Sequence, residues 1–152
     1  MDKDLLSDIN FEIEQIDELF ASYQNLFIRI KQSEPDLIEV TALASVLHSF
    51  YNGLENIFRW IAKRIDNNVP SDKEWHRSLL NQMANSIPER PAVLTSATFH
   101  LLKNYLAFRH FYRHSYSFIL EWEEIEKLIT PLENTWQTTK AELNDFLHTL
   151  NP

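Results

Sequence analysis

The sequence predicts an all-α fold, an antiparallel helical bundle of four long helices plus one short helix. Three observations predict it. Apolar residues recur at steps of three and four along most of the chain, which marks one buried face per helix. The composition holds one Gly and six Pro, too little turn-forming material for an all-β fold. Hydrophobic residues make up 44% of 152 positions, enough for the core of one domain, expected over residues 1–152.

The first helix is expected from Ser7 to about Lys31, because Ile9, Ile13, Ile16, Phe20, Tyr23, Phe27 and Ile30 form one stripe. Its acids crowd the first half and its basic residues the end, as the helix dipole favours. Pro35, within SEPD, disfavours helix at Glu34 and makes a break. The second long helix follows Val40, Leu43, Leu47, Phe50, Leu54, Ile57, Ile61 and Ile65, and stops at Asn67, Asn68 and Pro70. Gly53 lies in its middle, where Gly is about 1 kcal/mol less favourable than Ala. Either another helix approaches closely there or the residue is a tolerated flaw.

Ser71-Asp-Lys-Glu74 matches a capping box and predicts a short helix, with Trp75, Leu79 and Met83 on its inner face. That helix should stop before Pro88 and Pro91. His76 lies on it and reads as structural or exposed rather than catalytic. The third long helix runs from about Thr95 into FRHFYRHSY, Phe108 to Tyr116, with Phe99, Leu102, Tyr105 and Leu106 inward. Phe108, Phe111, Tyr112 and Phe118 read as core rather than as stacking platforms for bases. The last helical region spans about Glu121 to Leu150, with Trp122, Ile125, Ile129, Trp136, Leu143 and Phe146 inward. Pro131 kinks or restarts it, since Thr130-Pro-Leu-Glu133 reads as a second capping box with Pro at the first helical position.

Composition removes several function classes. There is no Cys, which excludes disulfides and Cys-based zinc sites. The start, MDKDLLSDIN, lacks the basic and then apolar run of a signal peptide. No run approaches the roughly 18 apolar residues of a membrane span, so a cytoplasmic protein is expected. A net charge of −8 argues against a globally basic nucleic-acid binder. The charge is unevenly spread, however. Arg90 to Leu120 contains Arg90, Lys103, Arg109 and Arg113 and no Asp or Glu. That basic segment in an acidic chain suggests a local anion site. There is no HExxH and no DxDxDG loop, and only His110 and His114 have the i, i+4 spacing of metal ligands, with no carboxylate nearby to complete a set. No metal and no cofactor is expected.

FRHFYRHSY places Arg109, His114 and Tyr116 in one short stretch. On a straight helix Arg109 and His114 diverge by about 140° and rise by roughly 7.5 Å. They cooperate only if the helix ends or distorts near His114, or if two chains build the site. Ser115 and Ser117, poor helix formers, favour the first. The chemistry suits phosphodiester cleavage. Arg offers a planar fork of donors to phosphate, and His titrates near neutrality. RNA carries its own nucleophile, the 2′-hydroxyl. A symmetric dimer would bring two copies of Arg109 and His114 to one cleft.

Arg109-His-Phe-Tyr-Arg-His114-Ser-Tyr116 resembles the R-x4-H-x-Y signature of HEPN-domain toxins of the HepT type. The upstream HSFYNGLENIFRWIAKRI is similar to that family's second helix. The resemblance implies a metal-independent endoribonuclease that is the toxin of a type VII-like toxin–antitoxin pair, cleaving tRNA or mRNA as a homodimer. It implies that Arg109 binds the phosphate, His114 does acid–base work and His110 supports the site. The implied antitoxin is a minimal nucleotidyltransferase, of the MNT type, that transfers AMP to Tyr116. The alternative is a non-catalytic HEPN scaffold that positions substrate for a nucleotidyltransferase.

Overall fold

The structure is a computed structural model and describes residues 2–114 and 120–151. Tyr116 and Phe118 therefore lie outside the described residues. Seven helices occur among the described ones: α1 Lys3–Ser22, α2 Gln24–Arg29, α3 Leu37–Arg64, α4 Trp75–Met83, α5 Ser96–Arg113, α6 Trp122–Ile129 and α7 Leu132–Leu150. The all-α class holds, with α1, α3, α5 and α7 as the four long helices. Three short helices accompany them, not one.

The extra pieces arise at two breaks. The expected helix from Ser7 to Lys31 is divided at Tyr23, whose N–H bonds Ala21 O instead of continuing the α pattern. The offset lets Phe27 meet Phe20, with ring centres 6.0 Å apart. Pro131 breaks the last region outright. It has no N–H to continue α6, and its carbonyl accepts the first bond of α7 from Thr135 N at 2.8 Å. The Thr130 capping box does not form, because Pro131 itself is the N-cap and no side chain caps it. The Ser71 box fails as well. Asp72 Oδ1 accepts from Glu74 N–H at 2.8 Å, so an Asp-initiated turn starts α4. A capping box does form at Asp36 and Glu39, just after Pro35.

α3 is the central helix and packs against α1, α4, α5 and α6. α1 and α5 run antiparallel to it. Along α1, Ile16 lies at Gly53, Glu12 reaches Asn56, and Asp8 pairs with Arg64. Along α5, Arg109 meets Asn52 and Tyr112 meets His48. Every expected inward residue of α3 from Val40 to Ile61 is buried. Gly53 is a point of close approach: a Cβ there would stand 2.9 Å from Ile16 Cγ1. At the end of α3, Asn67 takes a left-handed φ of 53°, a conformation Asn tolerates, and this stops the helix.

The core is one contiguous apolar cluster centred on Phe20, Phe50, Tyr105 and Trp136. Trp136 satisfies its indole N–H on Asp17 at 2.8 Å, and Tyr105 donates to Leu128 O at 2.7 Å. Of the aromatics in the FRHFYRHSY stretch, Phe108 is buried and Tyr112 half-buried, whereas Phe111 is 45% exposed. Phe111 is thus not core: it lies on the outer side of the last turn of α5. No described helix is long and apolar enough to cross a membrane.

Candidate active site

The site is built from three helices. On α3, His48, Asn52 and Glu55 are spaced four and three apart, which puts them on one face. That face meets α5 at Arg109 and α4 at His76. Arg109 donates from Nε to Asn52 Oδ1 at 2.9 Å. Its NH2 lies 3.8 Å from Glu55 Oε1, and its NH1 3.5 Å from His76 Nε2. His76 Nδ1 lies 2.7 Å from Glu55 Oε2. Asn52 Nδ2 in turn lies 3.0 Å from His48 Nε2.

These contacts set the protonation pattern. Asn52 accepts from Arg109 through its oxygen, so its amide donates to His48 Nε2. His48 is then neutral with its proton on Nδ1, which has no hydrogen-bond partner among the described residues. Burial chiefly, then the charges of Arg109 and Arg113, hold the His48 imidazole below its usual range, in agreement with that pattern. Burial, and secondarily the Glu55 carboxylate, push the Tyr51 phenol up, with Arg109 opposing; it stays protonated. Glu55 is 5% exposed, and a buried carboxylate requires cationic or hydrogen-bonding partners. His76 and Arg109 supply them.

Arg109 opens onto a cleft of about 690 Å³ between α4 and α5. Lys73, His76, Arg77, Lys103 and His110 also line it, over an apolar floor that includes Phe99 and Leu106. Among the described residues the terminal nitrogens of Arg109 make only the two long contacts above. Their N–H groups face a wide opening whose charged rim is Lys73, Arg77 and Lys103 against Glu74 alone, a net positive setting suited to an anion. Arg90 is not part of this basic surface, although it belongs to the basic segment of sequence. It is 3% exposed and forms a bidentate pair with Asp66, at 2.7 and 2.8 Å.

α5 ends at Arg113, and His114 is its exposed C-cap at φ −113°, ψ 12°. The His114 ring centre lies 4.7 Å from that of His110, so these two and Arg109 share one end of the helix. Tyr116 lies outside the described residues. Among the described residues, His110 and His114 acquire no third side chain that would complete a metal site.

Reading the sequence misses Asn52, Glu55 and His48, and assigns His76 no part in the site. One signal was present. Three polar side chains at spacing four and three interrupt a helix that is otherwise apolar on that side, which calls for polar partners from elsewhere.

No curated protein and no solved structure matches the chain. A family model described as "HepT-like protein" matches residues 42–150. That span runs from the first turns of α3 to the end of α7 and takes in Asn52, His76, Arg109 and His114. The chain belongs to the HepT-like family, whose HEPN-type helical bundle it shares.

Proposed function

We propose that this protein is a metal-independent endoribonuclease and the toxin of a toxin–antitoxin pair. The observation that carries the reading is Arg109, anchored by Asn52 and Glu55 at the mouth of a cationic cleft, one residue from His110 and at the same helix end as His114. In this reading Arg109 binds the scissile phosphate and stabilises the charge that grows on it. His114 transfers protons, and His110 supports the cleft. The 2′-hydroxyl of the RNA attacks, so the first product ends in a 2′,3′-cyclic phosphate. Membership of the HepT-like family supports the toxin context. The protein acts in the cytoplasm as a homodimer, and a nucleotidyltransferase antitoxin silences it by adding AMP to Tyr116. That modification adds bulk and negative charge two positions from His114 in the sequence.

The test is incubation of the purified protein with total RNA in EDTA, beside His114→Ala. Discrete cleavage by the wild type alone, with cyclic phosphate ends, is expected. A folded, unmodified protein that leaves RNA intact would favour the scaffold alternative instead.

A further inference from the structure

Resting on the nuclease reading, we propose that His76, held by Glu55, is the base that removes the 2′-hydroxyl proton, and that His114 is the acid that protonates the leaving oxygen.

Glu55 is an unusual residue for its place. It sits on the central helix among Leu54, Ile57 and Phe58, and its side chain is 6% exposed. A carboxylate there is unfavourable unless its partners require it. Its close partner is His76 Nδ1, at 2.7 Å. Because a carboxylate only accepts, Nδ1 carries a proton, and in the neutral ring the lone pair is left on Nε2. A carboxylate orienting an imidazole in this way is the general arrangement for a histidine base. It fixes the tautomer and stabilises the imidazolium that forms. Trp75 stacks on the ring, with centres 3.6 Å apart, and helps hold its plane.

Nε2 is placed where a base is needed. It lies 3.5 Å from Arg109 NH1, and both residues line the same cleft. A phosphate held by the Arg109 guanidinium therefore stands beside Nε2, with the adjoining ribose in the cleft. His76 keeps enough exposure, 21% of its side chain, to meet a substrate. His114 stands at the exposed end of the helix, its ring centre 4.7 Å from that of His110, which itself lines the cleft.

The step balances without a further reactant. Nε2 of His76 takes the 2′-hydroxyl proton and the 2′-oxygen bonds to phosphorus. The bond from phosphorus to the 5′-oxygen breaks, and His114, as imidazolium, gives that oxygen a proton. The products are a 2′,3′-cyclic phosphate and a 5′-hydroxyl. The two proton transfers then fall to two different histidines, whereas the motif's fixed positions offer only His114.

The test uses an oligonucleotide spanning a cleavage site mapped in total RNA, made with either oxygen or sulfur at the scissile 5′ position. Sulfur leaves without needing a proton. His114→Ala should be slow on oxygen and recover to within about tenfold of wild type on sulfur, whereas His76→Gln should stay about 100-fold slow on both. Glu55→Gln should lie between. In wild-type protein, nitrogen-15 NMR of the neutral His76 ring should find its proton on Nδ1 rather than Nε2, a result that does not depend on how any variant folds. Near wild-type cleavage of the oxygen substrate by His76→Gln overturns the proposal and leaves the nuclease reading intact, as does a neutral ring with its proton on Nε2. No cleavage by the wild type overturns both.

Discussion

Removing the Arg90 guanidinium should destabilise the protein by about 3–5 kcal/mol, the range for breaking one side of a buried ion pair. The structure places the value in that range for two reasons. Asp66 and Arg90 have side-chain exposures of 3% and 0%, so the carboxylate left behind cannot recover solvation. Gln82 Nε2, at 2.7 Å, would be its remaining side-chain partner among the described residues. In addition, Arg90 donates to Asn85 O, Pro91 O and Gln82 O at 2.9, 2.9 and 3.1 Å, and these carbonyls lose their donor together. The contacts tie the end of α4 to the end of α3, and so set where His76 stands relative to Glu55. Arg90→Met keeps length while deleting every one of these bonds. For a chain of this size the loss corresponds to a fall in Tm of roughly 6–20 °C. Thermal unfolding by circular dichroism measures it directly. Adding Asp66→Leu should restore part of the loss, because the stranded charge is then gone. An Arg90→Met protein that melts within about 2 °C of wild type would refute the reasoning.

Three further outcomes are expected. Asn52→Ala removes the acceptor that fixes Arg109 Nε, so under the nuclease reading kcat/KM should fall by about 10–100-fold while the fold persists; an unchanged rate would show that Asn52 does not orient the guanidinium. His48 is held below its ordinary value of 6.5, so the unfolded chain binds its proton more readily than the folded one. Its contribution to stability is complete above that value and is lost as pH falls through the folded-state value. His48→Phe, which can still pack on Tyr112, should flatten the decline in urea midpoint between about pH 7 and pH 5, and parallel declines would count against the assignment. Gly53→Ala gains about 1 kcal/mol of helix propensity. It also drives a methyl against Ile16, which is 2% exposed and has little room to shift, so overpacking of about 1–3 kcal/mol should leave a net loss in denaturant melts. A stabilised variant would mean that Ile16 yields freely.

Most of the helices could be read from the chain because periodicity is local. The stripe from Val40 to Ile61 needs nothing beyond its own residues to identify a helix buried on one face. The break at Pro35 and the interruption at Pro131 follow likewise from single residues and their backbone limits. Capping boxes were less legible. Ser71 and Thr130 have the right residue types, but Asp72 and Pro131 compete for the same turns and prevail, while Asp36 and Glu39, which fit the same spacing and went unread, form a box. Of the candidate site, Arg109, His110 and His114 were visible through a contiguous motif, and the end of α5 at His114 was anticipated by the poor helix formers that follow.

What only the tertiary structure decided is the company these residues keep. Asn52 and Arg109 are 57 positions apart, and His76 and Arg109 are 33 apart. Their meeting depends on the register of α4 and α5 against α3. That register is set by side-chain packing, by Glu142 holding the start of α5 and by the buried Arg90–Asp66 pair, and none of these interactions is expressed in the periodicity of any one helix. The same physics explains why Arg90 and Arg109, alike in the basic segment of sequence, end with opposite roles. One meets a carboxylate at hydrogen-bond distance in the core and is neutralised there. The other is held by an amide at the edge of a cleft, with its remaining donors toward the opening.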